Sequence, residues 1–297
     1  MAVGVIAEFV LDEKCVSQQH PWSVFDASTA NGQLAGVLAG FMLISITTLL
    51  TVWRDDLESA ESAVVYLGLG VIVLGLDAYL FGSVAAIKPP QGSHDFQQVC
   101  AKAWVEYMPG VGLMGVGAGL LVAGLAWIIA RHEWAGDSTK FTVRVTLAAL
   151  FVVIGPLALL TWHSINFIDE MHGELAEVDT TTQDFGSAVV GIFFVACIVT
   201  VLWVLVRIAL GGQSPVNPQW ARIMISAGVA IYLAEALAFT VLYPWLQSAP
   251  PVFFFGAGIF LCIVAPSIIF VLVALAMPGR RCENTSAQQE AGRDVAA

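Results

Sequence analysis

The chain is 297 residues long, 58% hydrophobic and only 12% charged, with a mean hydropathy of +0.81. A soluble globule of this length would lack the polar cover its exterior needs, and disorder is excluded by the same composition. The formal net charge of −11, from 12 Lys+Arg against 23 Asp+Glu, excludes a general nucleic-acid binder, which needs a basic face. What remains is an all-α integral membrane protein.

Residues 1–32 are expected to form an external N-terminal segment. Met1 to Leu11 is apolar but too short to span, and no basic residue precedes it as in a secretory signal. The membrane domain covers 33–277 and divides into seven continuous apolar runs, at 33–53, 63–87, 109–130, 141–166, 185–210, 221–245 and 252–277. Each is long enough to cross the hydrocarbon core as a helix, and none shows the short alternation of a barrel strand. The first run carries Gly36 and Gly40, the second Gly68, Gly75 and Gly82, and the third Gly112, Gly115, Gly119 and Gly124. Small residues at such spacing let helix backbones approach closely in lipid, so these stripes are expected to be packing seams. Pro156 and Pro266 interrupt the fourth and seventh runs, where each frees a backbone carbonyl. Beyond the last run, 278–297 is polar and reads as a flexible cytoplasmic tail.

Basic residues orient the bundle. With the N-terminus outside, the inner segments hold Arg54, Arg131, Lys140, Arg144, Arg207, Arg222, Arg280, Arg281 and Arg293, and the outer ones only Lys14, Lys88 and Lys102. Positive charge concentrates on the cytoplasmic side of membrane proteins, so an odd number of spans puts the C-terminus inside, in a multi-pass protein of the plasma membrane. Cys15 and Cys100 are the two cysteines of the outer segments, and an oxidising exterior favours a disulfide between them. Acidic charge gathers outside too, most densely at Asp169, Glu170, Glu174, Glu177, Asp179 and Asp184, a field that attracts cations.

Three ionisable residues lie well inside runs: Asp77, His163 and Glu235. A charge at mid-bilayer costs about 2.5–3.5 kcal/mol even on insertion scales, so such residues face the bundle interior or water and are site candidates. Asp77 and Glu235 each sit about 21 Å from the inner end of their runs at 1.5 Å per residue. His163 and its neighbour Asn166 lie near the outer end of the fourth run. Gly70, Val71, Asp77, Ala78 and Phe81 recur as Gly228, Val229, Glu235, Ala236 and Phe239, which suggests a 3+1+3 parallel repeat with an acid in the same slot of each half.

The function these residues point to is transport, by a channel or carrier, of a cation or small cationic solute. Asp77, Glu235, His163 and Asn166 are the expected ligand- or ion-binding residues. Two other classes stay open. One is a non-catalytic subunit or receptor-like partner in a larger membrane complex or homo-oligomer, with the lipid bilayer as its medium. The other is a membrane enzyme with an outer-face metal site, drawn from His163, Asp169, Glu170 and His172 with His20 or His94, a donor set suited to zinc or copper. No cofactor is expected: haem needs paired intramembrane histidines, of which His163 is the sole one. A retinal-type lysine is missing from the last run, and no catalytic motif is recognisable, so enzymatic function is not the expectation.

Overall fold

The computed structural model describes residues 15–16, 22–52, 57–88, 96–131, 218–242 and 256–276, together with single positions between 188 and 206. Among the described residues the protein is helical and contains no strand. Five helices are long and apolar enough to cross a membrane. They are α1 (Val24–Val52), α2 (Leu57–Ala85), α3 (Phe96–Arg131), α4 (Pro218–Leu242) and α5 (Gly256–Leu275). Ala188, Gly191, Ile192, Val195, Ile198, Val199, Leu202, Trp203 and Val206 are also helical.

Helices α1 to α4 all begin before the starts the hydropathy profile predicts, α1 and α3 by the most. The hydroxyl of Ser23 accepts the backbone N–H of Asp26 at 3.2 Å, a side-chain cap that starts α1 at Val24 instead of 33, with an acid in the favourable first turn. In α3 the helix runs through Pro109, which had marked the expected start. A proline inside a membrane helix removes one donor and leaves one carbonyl, here that of Val105, a defect that neighbouring groups can absorb. Hydropathy locates the apolar stretch, whereas caps and neighbours decide where the helix begins.

Helix α2 packs against both α1 and α3, α3 against α5, and α5 against α4, which also touches α2. Most of α1 faces outward. Its hydroxyls at Ser45, Thr47, Thr48 and Thr51 each donate to the carbonyl one turn back, at 2.8–2.9 Å, so they need no partner outside the helix.

Two contacts label the ends of the bundle. Cys15 and Cys100 form the expected disulfide, with their Cα atoms 5.5 Å apart, near the start of α3. At the opposite end the Arg222 guanidinium meets the Glu61 carboxylate at 2.7 Å, joining the first turns of α4 and α2. Helices α2 and α4 therefore run in the same direction, from the ion-pair face to the disulfide face.

Glycine brings helices together at Gly112, Gly119 and Gly124 of the expected third stripe, but not along the stripes expected in the first and second runs. Among the described residues nothing lies within 4 Å of where a side chain would sit at Gly36, Gly40, Gly68, Gly75 or Gly82. The close approaches are at Gly70 against Met42, Gly110 against Phe81, Gly117 against Leu74, Gly119 against Phe270 and Gly124 against Leu67. A regular spacing marks a stripe of small residues, but only the direction in which the helix faces its neighbours decides whether the stripe is filled.

Candidate functional site

Asp77 lies about 24 Å along α2 from Glu61, at 1.5 Å per residue, and about 12 Å from the disulfide-face end of the helix. It is fully buried, with 0% of its surface exposed. Neither carboxylate oxygen has a hydrogen-bond partner among the described residues. Ser28 Oγ and Tyr66 Oη share that condition, but an orphan carboxyl group is much the costliest of the three to bury. Polar groups buried without partners are scarce in folded proteins, and each calls for an explanation.

Tyr107 of α3 and Tyr232 of α4 are buried, and both lie within electrostatic reach of the Asp77 carboxylate and the Cys262 thiol of α5. Each hydroxyl has a partner. Tyr107 Oη accepts the Asn31 side-chain N–H from α1 at 2.8 Å. Tyr232 Oη donates to the Leu261 carbonyl at 2.7 Å.

The second bond follows from Pro266. Residues Phe260–Val264 form a π-turn, in which Ala265 N–H bonds the Phe260 carbonyl five residues back. Leu261 then lacks its ordinary donor, because Ala265 is already engaged. It lacks the next donor as well, because Pro266 has no N–H. An unmet carbonyl is costly in hydrocarbon, and the Tyr232 hydroxyl meets it. Gly112 makes room for the arrangement: a Cβ there would collide with the Leu261 carbonyl oxygen, the Tyr232 hydroxyl and the Cys262 backbone.

Aromatic rings lie between Asp77 and the disulfide face. Phe81, one turn beyond Asp77, meets Tyr107 at a tilt of 52° with ring centroids 5.2 Å apart, and Trp104 meets Tyr107 edge-on at 5.7 Å. On the ion-pair side the packing is apolar: Met42 and Leu120 close on Gly70, and Leu74 on Gly117.

The two expected acids are treated differently. Glu235 lies about 20 Å along α4 from Arg222, near the depth of Asp77, and is likewise within electrostatic reach of Tyr232. Its side chain, however, is exposed, so it does not join the buried group. His163, Asn166, Asp169, Glu170 and His172 lie outside the described residues, as do His20 and His94. Among the described residues no group of His, Cys, Asp and Glu could hold a metal ion.

Asn31, Tyr107, Tyr232 and the Leu261 carbonyl were not anticipated from the sequence. Pro266 was a signal for a freed carbonyl, and tyrosines inside apolar runs were a signal for hydroxyls needing partners. No protein-family model matches the chain, and no curated protein or solved structure matches it either.

Proposed function

We propose that this chain is a membrane transport protein, a channel or carrier for a cation or small cationic solute, in which Asp77 meets the transported species inside the bundle. One observation carries the reading: a fully buried carboxyl group, inside an apolar helix, with both oxygens unpartnered among the described residues. Ionisable groups kept at such cost in a membrane mark ion and substrate pathways. Glu235, at similar depth but on an exposed face, is a secondary residue of the same pathway, with His163 and Asn166 toward the outer end.

The reading includes a seven-helix topology. Helix α3 ends and α4 begins on the ion-pair face, so the chain between them crosses an even number of times, which suits the two further spans at 141–166 and 185–210. The positive-inside bias then places the disulfide face outside the plasma membrane, where the Cys15–Cys100 bridge persists.

The test is flux in proteoliposomes under an imposed cation or pH gradient. Asp77→Asn keeps the size of the side chain but removes the charge, and should abolish flux. Glu235→Gln should reduce flux by a few-fold at most. Unchanged flux in Asp77→Asn would overturn the reading.

A second reading has its own support. Among the described residues nothing lies against Gly36, Gly40, Gly68, Gly75 or Gly82, and α1 presents Val37, Phe41 and Ile44 outward. These faces suit a subunit of a larger membrane complex or a homo-oligomer. Co-purification of a partner at fixed stoichiometry, without any intrinsic flux, would favour it.

A further inference from the structure

We infer that the π-turn of α5 is a register switch: a one-position slip of the hydrogen bond at Ala265 turns the disulfide-face end of the helix, and the Tyr232 hydroxyl is the latch that holds it. The inference goes beyond the transport reading and stands without it.

The turn has two ways to satisfy the same carbonyl. Its backbone bonds reach five residues back instead of four, so it leaves one carbonyl more without a backbone donor than an α register would. Pro266 leaves a further one in either register, since it carries no N–H. The Tyr232 hydroxyl meets the extra carbonyl, that of Leu261, at 2.7 Å. In an α register Ala265 N–H would bond Leu261 and Val264 N–H would bond Phe260, and Leu261 would need nothing from α4. The added cost of an unmet carbonyl in hydrocarbon therefore falls on the π register, and the Tyr232 bond is what removes it. Without that bond the balance should move toward the α register by about tenfold or more, the ordinary penalty for a buried unpartnered group.

The slip has a defined consequence. It takes one residue out of the turn, and so rotates the segment before it against the segment after it by about 100°, with an axial shift of about 1.5 Å. The segment after it is held, with Phe270 against Gly119 and Ile269 and Leu272 against Gly228. The segment before it is the disulfide-face end of α5. There Gly258 lies against Met108, and Ile259 belongs to the core that contains Cys15, Cys100, Trp104 and Tyr107. Ile259 is 6% exposed, whereas Phe260 beside it is 42% exposed. Rotation by one position exchanges the face that packs on α3 for the next one round.

Gly112 is the clearance for the switch. The Leu261 carbonyl oxygen, the Tyr232 hydroxyl and the Cys262 Cα all occupy space that a side chain at Gly112 would claim. The latch and its acceptor therefore sit directly on the α3 backbone, a surface over which Leu261 and Cys262 can turn without meeting a side chain of that residue.

Spin labels on single cysteines read the register. The full chain carries Cys197→Ala, Cys262→Ala and Cys282→Ala with the Cys15–Cys100 bridge intact, and is reconstituted in phosphatidylcholine vesicles. Gly256→Cys, Ile259→Cys, Phe260→Cys and Ile268→Cys are then labelled one at a time, and the oxygen accessibility of each label is measured. In this parent chain position 259 should be the protected one. Adding Tyr232→Phe should move the pattern over 256–260 by one position while 268 keeps its value, and Tyr79→Phe should move nothing. The parent spectrum at 260 should also contain a minor component that matches the major component of Tyr232→Phe. An unshifted pattern in Tyr232→Phe would overturn the latch. Accessibility that rises at 259 and 268 alike would show a helix that loosens instead of slipping, and would overturn the inference too. A single component in the parent would overturn the switch and leave Tyr232 as a fixed donor.

Discussion

Residues 70–81 of α2 and 228–239 of α4 offer a comparison within one molecule. Both segments begin Gly-Val, carry an acid seven residues on with Ala after it, and end in Phe. Both run from the ion-pair face toward the disulfide face, and their acids lie at similar depth. Yet Asp77 is fully buried and Glu235 is exposed, whereas Val229 and Ala236 are buried and their counterparts Val71 and Ala78 only half so. The difference follows from the neighbours. Helix α2 lies between α1 and α3 and touches α4, and so buries a broad arc that includes Tyr66, Gly70, Val73 and Asp77. Helix α4 buries a narrow stripe through Ala221, Ile225, Val229, Tyr232, Ala236 and Phe239, and Glu235 falls just outside it. An acid in a matching slot acquires its character from how many helices surround it.

Substitutions can sharpen or break this contrast. The largest effect is expected at the acids themselves. Leu has the branching of Asp without its polar atoms, so Asp77→Leu should raise stability by about 1–3 kcal/mol by removing an orphan buried polar group, while abolishing transport. Glu235→Leu should change stability by no more than about 0.5 kcal/mol. Reversible unfolding in mixed micelles measures both, and a marked loss of stability in Asp77→Leu would mean that the carboxyl group has a stabilising partner.

The tyrosines of the two segments come next. Tyr232→Phe leaves the Leu261 carbonyl without a donor and should cost about 1–2 kcal/mol in the same assay. Tyr79→Phe, in α2 at a position 69% exposed, should be close to neutral. Equal effects would show that the π-turn does not depend on Tyr232.

The smallest effect is expected at the pair that aligns the two helices. Glu61 is 56% exposed, so Glu61→Gln should lower stability by less than about 1 kcal/mol, and by less again at high salt. A larger loss would indicate that Arg222 requires Glu61 to neutralise a buried charge.

Much of the architecture was legible before any coordinates. Five of the seven apolar runs correspond to α1 through α5, and those at 141–166 and 185–210 lie almost wholly outside the described residues; length and continuity of hydrophobicity are set by the thickness of the bilayer, a property of the solvent. The Cys15–Cys100 bridge was legible because both cysteines fall outside the apolar runs on the same side. The candidate site was legible only at Asp77. A buried orphan carboxyl group is conspicuous in a chain with so few charges, whereas Tyr107 and Asn31 are conspicuous only once α1 and α3 are seen to meet.

The sequence by itself pointed to helices apolar enough to cross a membrane, favoured the pairing of Cys15 with Cys100, and required that Pro266 leave a carbonyl to be satisfied by something else. Those features are local: they depend on composition, on spacing along one helix, or on the missing N–H of a single residue. Tertiary structure decided which acid is buried, which glycines are close approaches, and that Tyr232 is the donor for Leu261. Each of those depends on the rotation of one helix against another. A change of one position in the face presented, about 100° around the axis, exchanges a buried residue for an exposed one without altering the hydropathy of either helix.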